Sequence, residues 1–124
     1  MHRGTPEEVL ASIVEGINTG NLDGLMTLYE PGAGFAAQPG QFAPGLERIR
    51  DGLRAFIAMK GKLDLTVKRV LQAADLALVV SDWSFVGTGP DGKPAHFEAQ
   101  AADVLRRQSD GTWRFVIDNP WGTA

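Results

Sequence analysis

The chain has 124 residues, 44% of them hydrophobic, no cysteine, and a formal net charge of −3. That is the size of one domain, long enough to bury a core without metals or disulfides, and a chain without cysteine has no disulfide framework, Cys-ligated zinc or thiol nucleophile. A mildly acidic balance with no Lys/Arg cluster argues against nucleic acid and anionic membrane as partners.

The first residues, Met1, His2, Arg3, Gly4, Thr5 and Pro6, contain no apolar signal region, and the chain turns acidic at Glu7 and Glu8. The longest clean apolar run, residues 76–80, is far short of a membrane span, so the expected compartment is the cytoplasm. Thr5, Pro6 and Glu8 form a helix start with a capping box. Val9, Leu10, Ile13, Val14 and Ile17 follow as one apolar stripe at helical spacing, and Gly20 stops the helix. A short second helix is expected next, with Leu22, Leu25, Leu28 and Tyr29 on its buried side. Residues 31–45 are too rich in Gly and Pro for one long element; Gly34, Phe35, Ala36 and Ala37 suggest a short strand. A third helix runs over about residues 46–60, with Leu46, Ile49, Leu53, Phe56 and Ile57 inward.

After Gly61 the period changes to two. Leu63, Leu65 and Val67 alternate with polar residues as a half-buried strand. Further strands are predicted at 76–86, 95–107 and 113–118, with hairpin turns at Pro90-Asp91-Gly92 and Asp110-Gly111. Helices followed by a run of strands indicate an α+β domain over residues 1–124: a cone-shaped, curved antiparallel sheet wrapped around three N-terminal helices. The open mouth of such a cone is a natural small-molecule site.

Three stretches carry a resemblance. They are Asn18 to Leu25 running on to Tyr29, Gly45 to Phe56, and Asp103 to Gly122 with its Asp110-Gly111 turn. Through them the chain resembles the nuclear-transport-factor-two-like superfamily of ketosteroid-isomerase-like and SnoaL-like proteins, in a subfamily of unknown function. The resemblance implies a cystatin-like α+β barrel and points to a homodimer. It also marks departures. Similar isomerases have a Tyr donor where this chain has Ile13, and a carboxylate base where it has Ala37; the protonated Asp that serves as second oxyanion donor matches Asp103. Without a base, proton abstraction beside a carbonyl has no agent, so steroid isomerisation is not expected. Resemblance to the polyketide cyclases makes Asp118 the match for their general acid/base carboxylate.

Strand alternation places Val79, Ser81, Trp83 and Phe85 on one face, and Phe97, Ala99, Ala101, Asp103 and Leu105 on one face of the next strand. On the last strand Arg114, Val116 and Asp118 share a face, opposite Trp113, Phe115 and Ile117; a β-bulge would reverse this phase. The expected cavity is lined by Ile13, Val14, Tyr29, Phe35, Leu53, Phe56, Ile57, Val79, Trp83, Phe85, Ala99, Ala101, Asp103 and Asp118. Asp103 and Asp118 are the candidate catalytic pair, two carboxylates able to share a proton in an apolar pocket. The alternative is structural: Asp103 bonded to a backbone amide or Arg114, and Asp118 capping the turn before Asn119. His96 and Glu98 have metal-ligand spacing but lie on the expected outer face without a third ligand, and no serine has a His to activate it, so no cofactor or metal is expected. Trp121 is placed either as a lid on the mouth or in a dimer seam.

Three functions are compatible with these residues: a binding protein for a small apolar or amphipathic molecule, an acid/base enzyme such as an isomerase, cyclase or hydrolase using Asp103 and Asp118, and an oligomeric association module. A homodimer is expected through an apolar outer sheet face of Trp113, Phe115, Ile117 and Val104.

Overall fold

The computed structural model describes residues 1–124. Helix α1 (Pro6–Thr19) begins where Thr5 accepts a hydrogen bond from the Glu8 amide at 3.1 Å, and ends at Gly20, whose φ of 72° is the left-handed conformation. Helix α2 (Leu22–Met26) is capped by Asn21, which accepts from the Gly24 amide at 3.0 Å. It stops before Leu28. Tyr29, expected on this helix, instead opens strand β1 (Tyr29–Gln38), which turns back through β2 (Gln41–Pro44). The Gly/Pro-rich segment is therefore a hairpin, longer than the expected short strand. Helix α3 (Leu46–Ala58) and strands β3 (Lys62–Ala73), β4 (Leu76–Thr88), β5 (Pro94–Arg107) and β6 (Trp113–Asp118) follow.

The six strands form one curved, unclosed sheet in the order β2-β1-β6-β5-β4-β3. It is mixed: β1 runs parallel to β6 and every other neighbouring pair is antiparallel. A parallel pair needs a long crossover, and here everything from β2 to β5 supplies it. Register shifts within β1, β3 and the β5–β6 pair bend the sheet toward the helices. Helix α1 packs on β3 and α3 on β1, and 20 buried residues form a single core cluster.

Strand β4 keeps strict alternation, with Ala77, Val79, Ser81, Trp83 and Phe85 inward and buried. Strand β6 does not. Phe115 pairs with Leu105, but the next β5 residue, Val104, pairs with Ile117, so Val116 is an extra residue. The extra residue reverses the phase midway. Trp113 and Phe115 are core residues at 3% and 1% exposure, not outer-face residues, and the expected grouping of Arg114 and Val116 with Asp118 on the inner face is corrected accordingly. Asp118 still reaches the inside because it lies beyond the irregularity.

Candidate functional site

The inner face of the sheet, α1 and α3 enclose a cavity of about 70 Å³, 13 of whose 16 lining residues are hydrophobic. Ile13, Tyr29, Phe35, Leu53, Phe56, Trp83, Phe85, Ala101, Asp103 and Asp118 line it. Val14, Ile57, Val79 and Ala99, expected in the lining, lie outside it. Val79 is fully buried in the core, and the other three are partly buried. Leu10, Ile17, Leu63, Leu65, Phe115 and Pro120 complete the wall. The first four continue stripes visible in the sequence; Phe115 was hidden by the phase reversal of β6, and Pro120 lies past the last strand.

The polar end is built from three strands. Tyr29, the chain's one tyrosine, starts β1 beside Phe115, on which its ring stacks at 5.0 Å. Its hydroxyl donates to Asp118 Oδ2 at 2.5 Å. Asp103 Oδ1 accepts from the Asn119 backbone amide at 2.8 Å, the structural contact that the sequence allowed, while Arg114 is not its partner. The Asp103 and Asp118 carboxyls are close enough for each to act on the other's proton affinity. Asp118, the last residue of its strand, is partly exposed as a residue, while its carboxyl is densely surrounded by protein.

Enclosure governs the proton affinities. Loss of hydration raises the Asp103 pKa well above the usual carboxylate range, and the neighbouring Asp118 charge adds to this, against the Asn119 amide. Burial likewise raises Asp118 to about 6, restrained by hydrogen bonds from Tyr29 and Asp103. The Tyr29 phenol is pushed up by burial and then by Asp118, so it stays neutral. Near neutral pH the pair as a unit therefore holds on to a proton that two ordinary aspartates would have lost. No Lys, Arg or His lines the cavity to offset negative charge on the pair.

Aromatic rings close the other end. Phe56 meets Phe85 edge-on at 5.2 Å and Trp83 and Phe97 at 6.3 Å each. Trp121 covers Trp83 at 5.2 Å and Phe97 at 6.3 Å. It thus packs within its own chain over the cavity's aromatic wall. The C-terminal turn that carries it is tied down: Trp83 Nε1 donates to the Pro120 carbonyl at 2.6 Å, and the Ala102 amide donates to the Asn119 carbonyl at 3.0 Å. At Gly122 (φ 59°) the backbone comes so close to β5 that a Cβ would stand 2.4 Å from the Gln100 carbonyl oxygen.

The remaining candidates stand apart. Ser81 is fully buried opposite Ala101, its hydroxyl without a partner, but it does not line the cavity. His96 and Glu98 form an exposed pair at 3.6 Å. No group of three potential metal ligands exists. Ala37 is exposed on β1, away from the cavity, while Ile13 faces it with an apolar side chain.

Residues 10–116 match the family of SnoaL-like domains. The chain belongs to that family. Among solved structures, this SnoaL-like chain is similar to a nuclear transport factor 2-like superfamily protein from Salmonella enterica serovar Typhimurium (TM-score 0.80, 19% identity, 94% of this chain and 87% of that one). It is similar to a ketosteroid isomerase-like protein from Erwinia carotovora atroseptica (TM-score 0.76, 19% identity, 90% and 88%). It is also similar to a putative calcium/calmodulin-dependent protein kinase II association domain from Xanthomonas campestris (TM-score 0.71, 22% identity, 89% and 79%). These identities establish a shared fold, and one fold hosts many activities. No curated protein matches the sequence. No helix is long and apolar enough to cross a membrane.

Proposed function

We propose that this SnoaL-like chain binds a small, largely apolar molecule inside its cone, with the molecule's one polar group held at the Asp103–Asp118–Tyr29 end. The observation that carries this reading is an oily cavity ending in two enclosed carboxyls, Asp103 and Asp118, whose proton affinities burial raises. A chain that needed the cone only as a scaffold for assembly would gain stability by filling that space with apolar side chains, since buried polar groups cost free energy. Ala101 leaves room where a larger residue would fill it. Native mass spectrometry of the purified chain tests the proposal. A co-purifying small molecule, lost in Ala101→Phe while the circular dichroism spectrum is kept, supports it; identical ligand retention by that variant sinks it.

A second reading, acid/base catalysis, is favoured by Asp118, whose pKa of about 6 suits proton transfer near neutrality. Steroid isomerisation is a poor candidate, because Ile13 and Ala37 supply neither donor nor base. Turnover of a β,γ-unsaturated ketosteroid that Asp103→Asn abolishes would contradict this.

A homodimer is also proposed, through the same outer sheet face that the sequence suggested but with a partly different set of residues. With Trp113 and Phe115 inside, the outer face still presents Leu71, Leu78, Val104 and Ile117 in one register row across four strands, with Leu71 and Leu78 53% and 38% exposed. Sedimentation as a monomer at micromolar concentration would remove this proposal.

A further inference from the structure

The polar end of the cavity accepts hydrogen bonds and has none left to give. The Tyr29 hydroxyl is committed to Asp118, the Asn119 amide to Asp103, and a proton retained by the pair to the two carboxyls. A ketone or other pure acceptor placed there would meet oxygen lone pairs and would have to break one of those contacts to gain a donor. The end also carries a negative charge with no cation in the cavity wall: α1, α3, β3 and β4 contribute only uncharged residues, and the titratable groups facing the pair are Tyr29 from β1 and the two carboxyls from β5 and β6. The rest of the wall is apolar and rich in aromatic rings, Phe56, Trp83 and Phe85 among them, and suits an uncharged hydrocarbon body.

We infer that the molecule bound here is a small organic cation, a primary or secondary ammonium on a compact apolar body, whose N–H groups donate to the Asp118–Asp103 pair. This rests on the small-molecule reading above and names its ligand class. An ammonium supplies both missing items, a donor and a counter-charge, and a charged hydrogen bond away from water is about twice as strong as a neutral one. The apolar body would occupy the space beside Ala101 and Phe85.

Isothermal titration of the full chain with cyclopentylamine, cyclopentanol and cyclopentanone at about pH 7.5 tests it, since these probes share a ring and differ in the polar group. The amine is expected to bind about tenfold or more tightly than the ketone. Ketone binding equal to or tighter than the amine overturns the cation proposal and leaves the small-molecule reading standing; no binding by any of the three overturns both. Asp118→Asn should abolish the preference for the amine, whereas Asp103→Asn, which keeps an acceptor and leaves the charge on Asp118, should retain it. Equal amine affinity in both variants overturns the assignment. In the unsubstituted chain the amine affinity should fall as pH drops through about 6, because the pair must give up a proton to receive a cation. A constant affinity across that range overturns it as well.

Discussion

The two ends of the cavity use burial in opposite ways. Around Phe85, Leu53 and Ile13 burial is the source of stability, because each ring or branch leaves water without abandoning a polar partner. Around Asp103, Asp118 and Tyr29 burial opposes stability, and the three groups persist there only by bonding to one another and to the Asn119 amide. A fold selected for stability alone has little use for the second end. Its survival beside an unfilled space is why the site reads as functional, in line with the tendency of perturbed carboxylates to gather at such places.

The largest expected effect lies at the apolar end. Phe85 is fully buried, and Phe85→Ala should cost about 3–5 kcal/mol in chemical denaturation by removing a ring and leaving a void. A loss comparable to an exposed substitution would break the contrast, showing that this end is loosely packed.

The carboxyl end should reveal itself through pH. Both carboxyls bind protons more tightly in the fold than in the unfolded chain, so their contribution is full below the ordinary value of 3.8 and is lost as pH rises through about 6 for Asp118, and higher for Asp103. Each proton so held contributes a slope of at most about 1.4 kcal/mol per pH unit, with stability falling as pH rises. Denaturation midpoints compared between about pH 5 and about pH 8 should show a shallower decline in Asp118→Asn than in the parent chain. Parallel curves would mean the carboxyls are not linked to folding.

Smaller effects sharpen the boundary between the ends. Trp83→Phe keeps most of the ring but loses the bond to the Pro120 carbonyl, so it should cost about 1–2 kcal/mol and speed amide hydrogen exchange in residues 119–122. Unchanged exchange would show that this bond does not hold the C-terminal turn. Ser81→Ala removes an orphaned buried hydroxyl and should be neutral or stabilising by about 1 kcal/mol. A clear loss would reveal a partner for Ser81.

The difference between the ends also marks what sequence could disclose. The apolar end comes from uninterrupted periodicities: the α1 stripe through Ile13, the α3 stripe through Phe56, and the β4 alternation of Trp83 and Phe85 all follow a single period, so their facing is legible. The carboxyl end comes from exceptions to periodicity. Val116 adds one residue to β6, which put Trp113 and Phe115 inside and took them off the expected dimer surface. The Tyr29–Asp118 contact joins residues 89 apart through the parallel β1–β6 pair, and no local pattern announces a parallel pairing. Tyr29 looked helical because Leu25 and Leu28 precede it at helical spacing, yet the backbone leaves the helix after Met26 and tertiary pairing claims the tyrosine. Asp103 was legible because β5 alternates faithfully from Phe97 to Leu105.

The proposed site depends on two enclosed carboxyls that share one proton at the end of an apolar cavity. The most direct test is the titration of the Asp103 and Asp118 side-chain carboxyl carbons by NMR. Asp118 should lose its proton near pH 6 and Asp103 well above the ordinary carboxylate range, with each resonance responding to both steps. Two independent transitions near the ordinary value of 3.8 would contradict it.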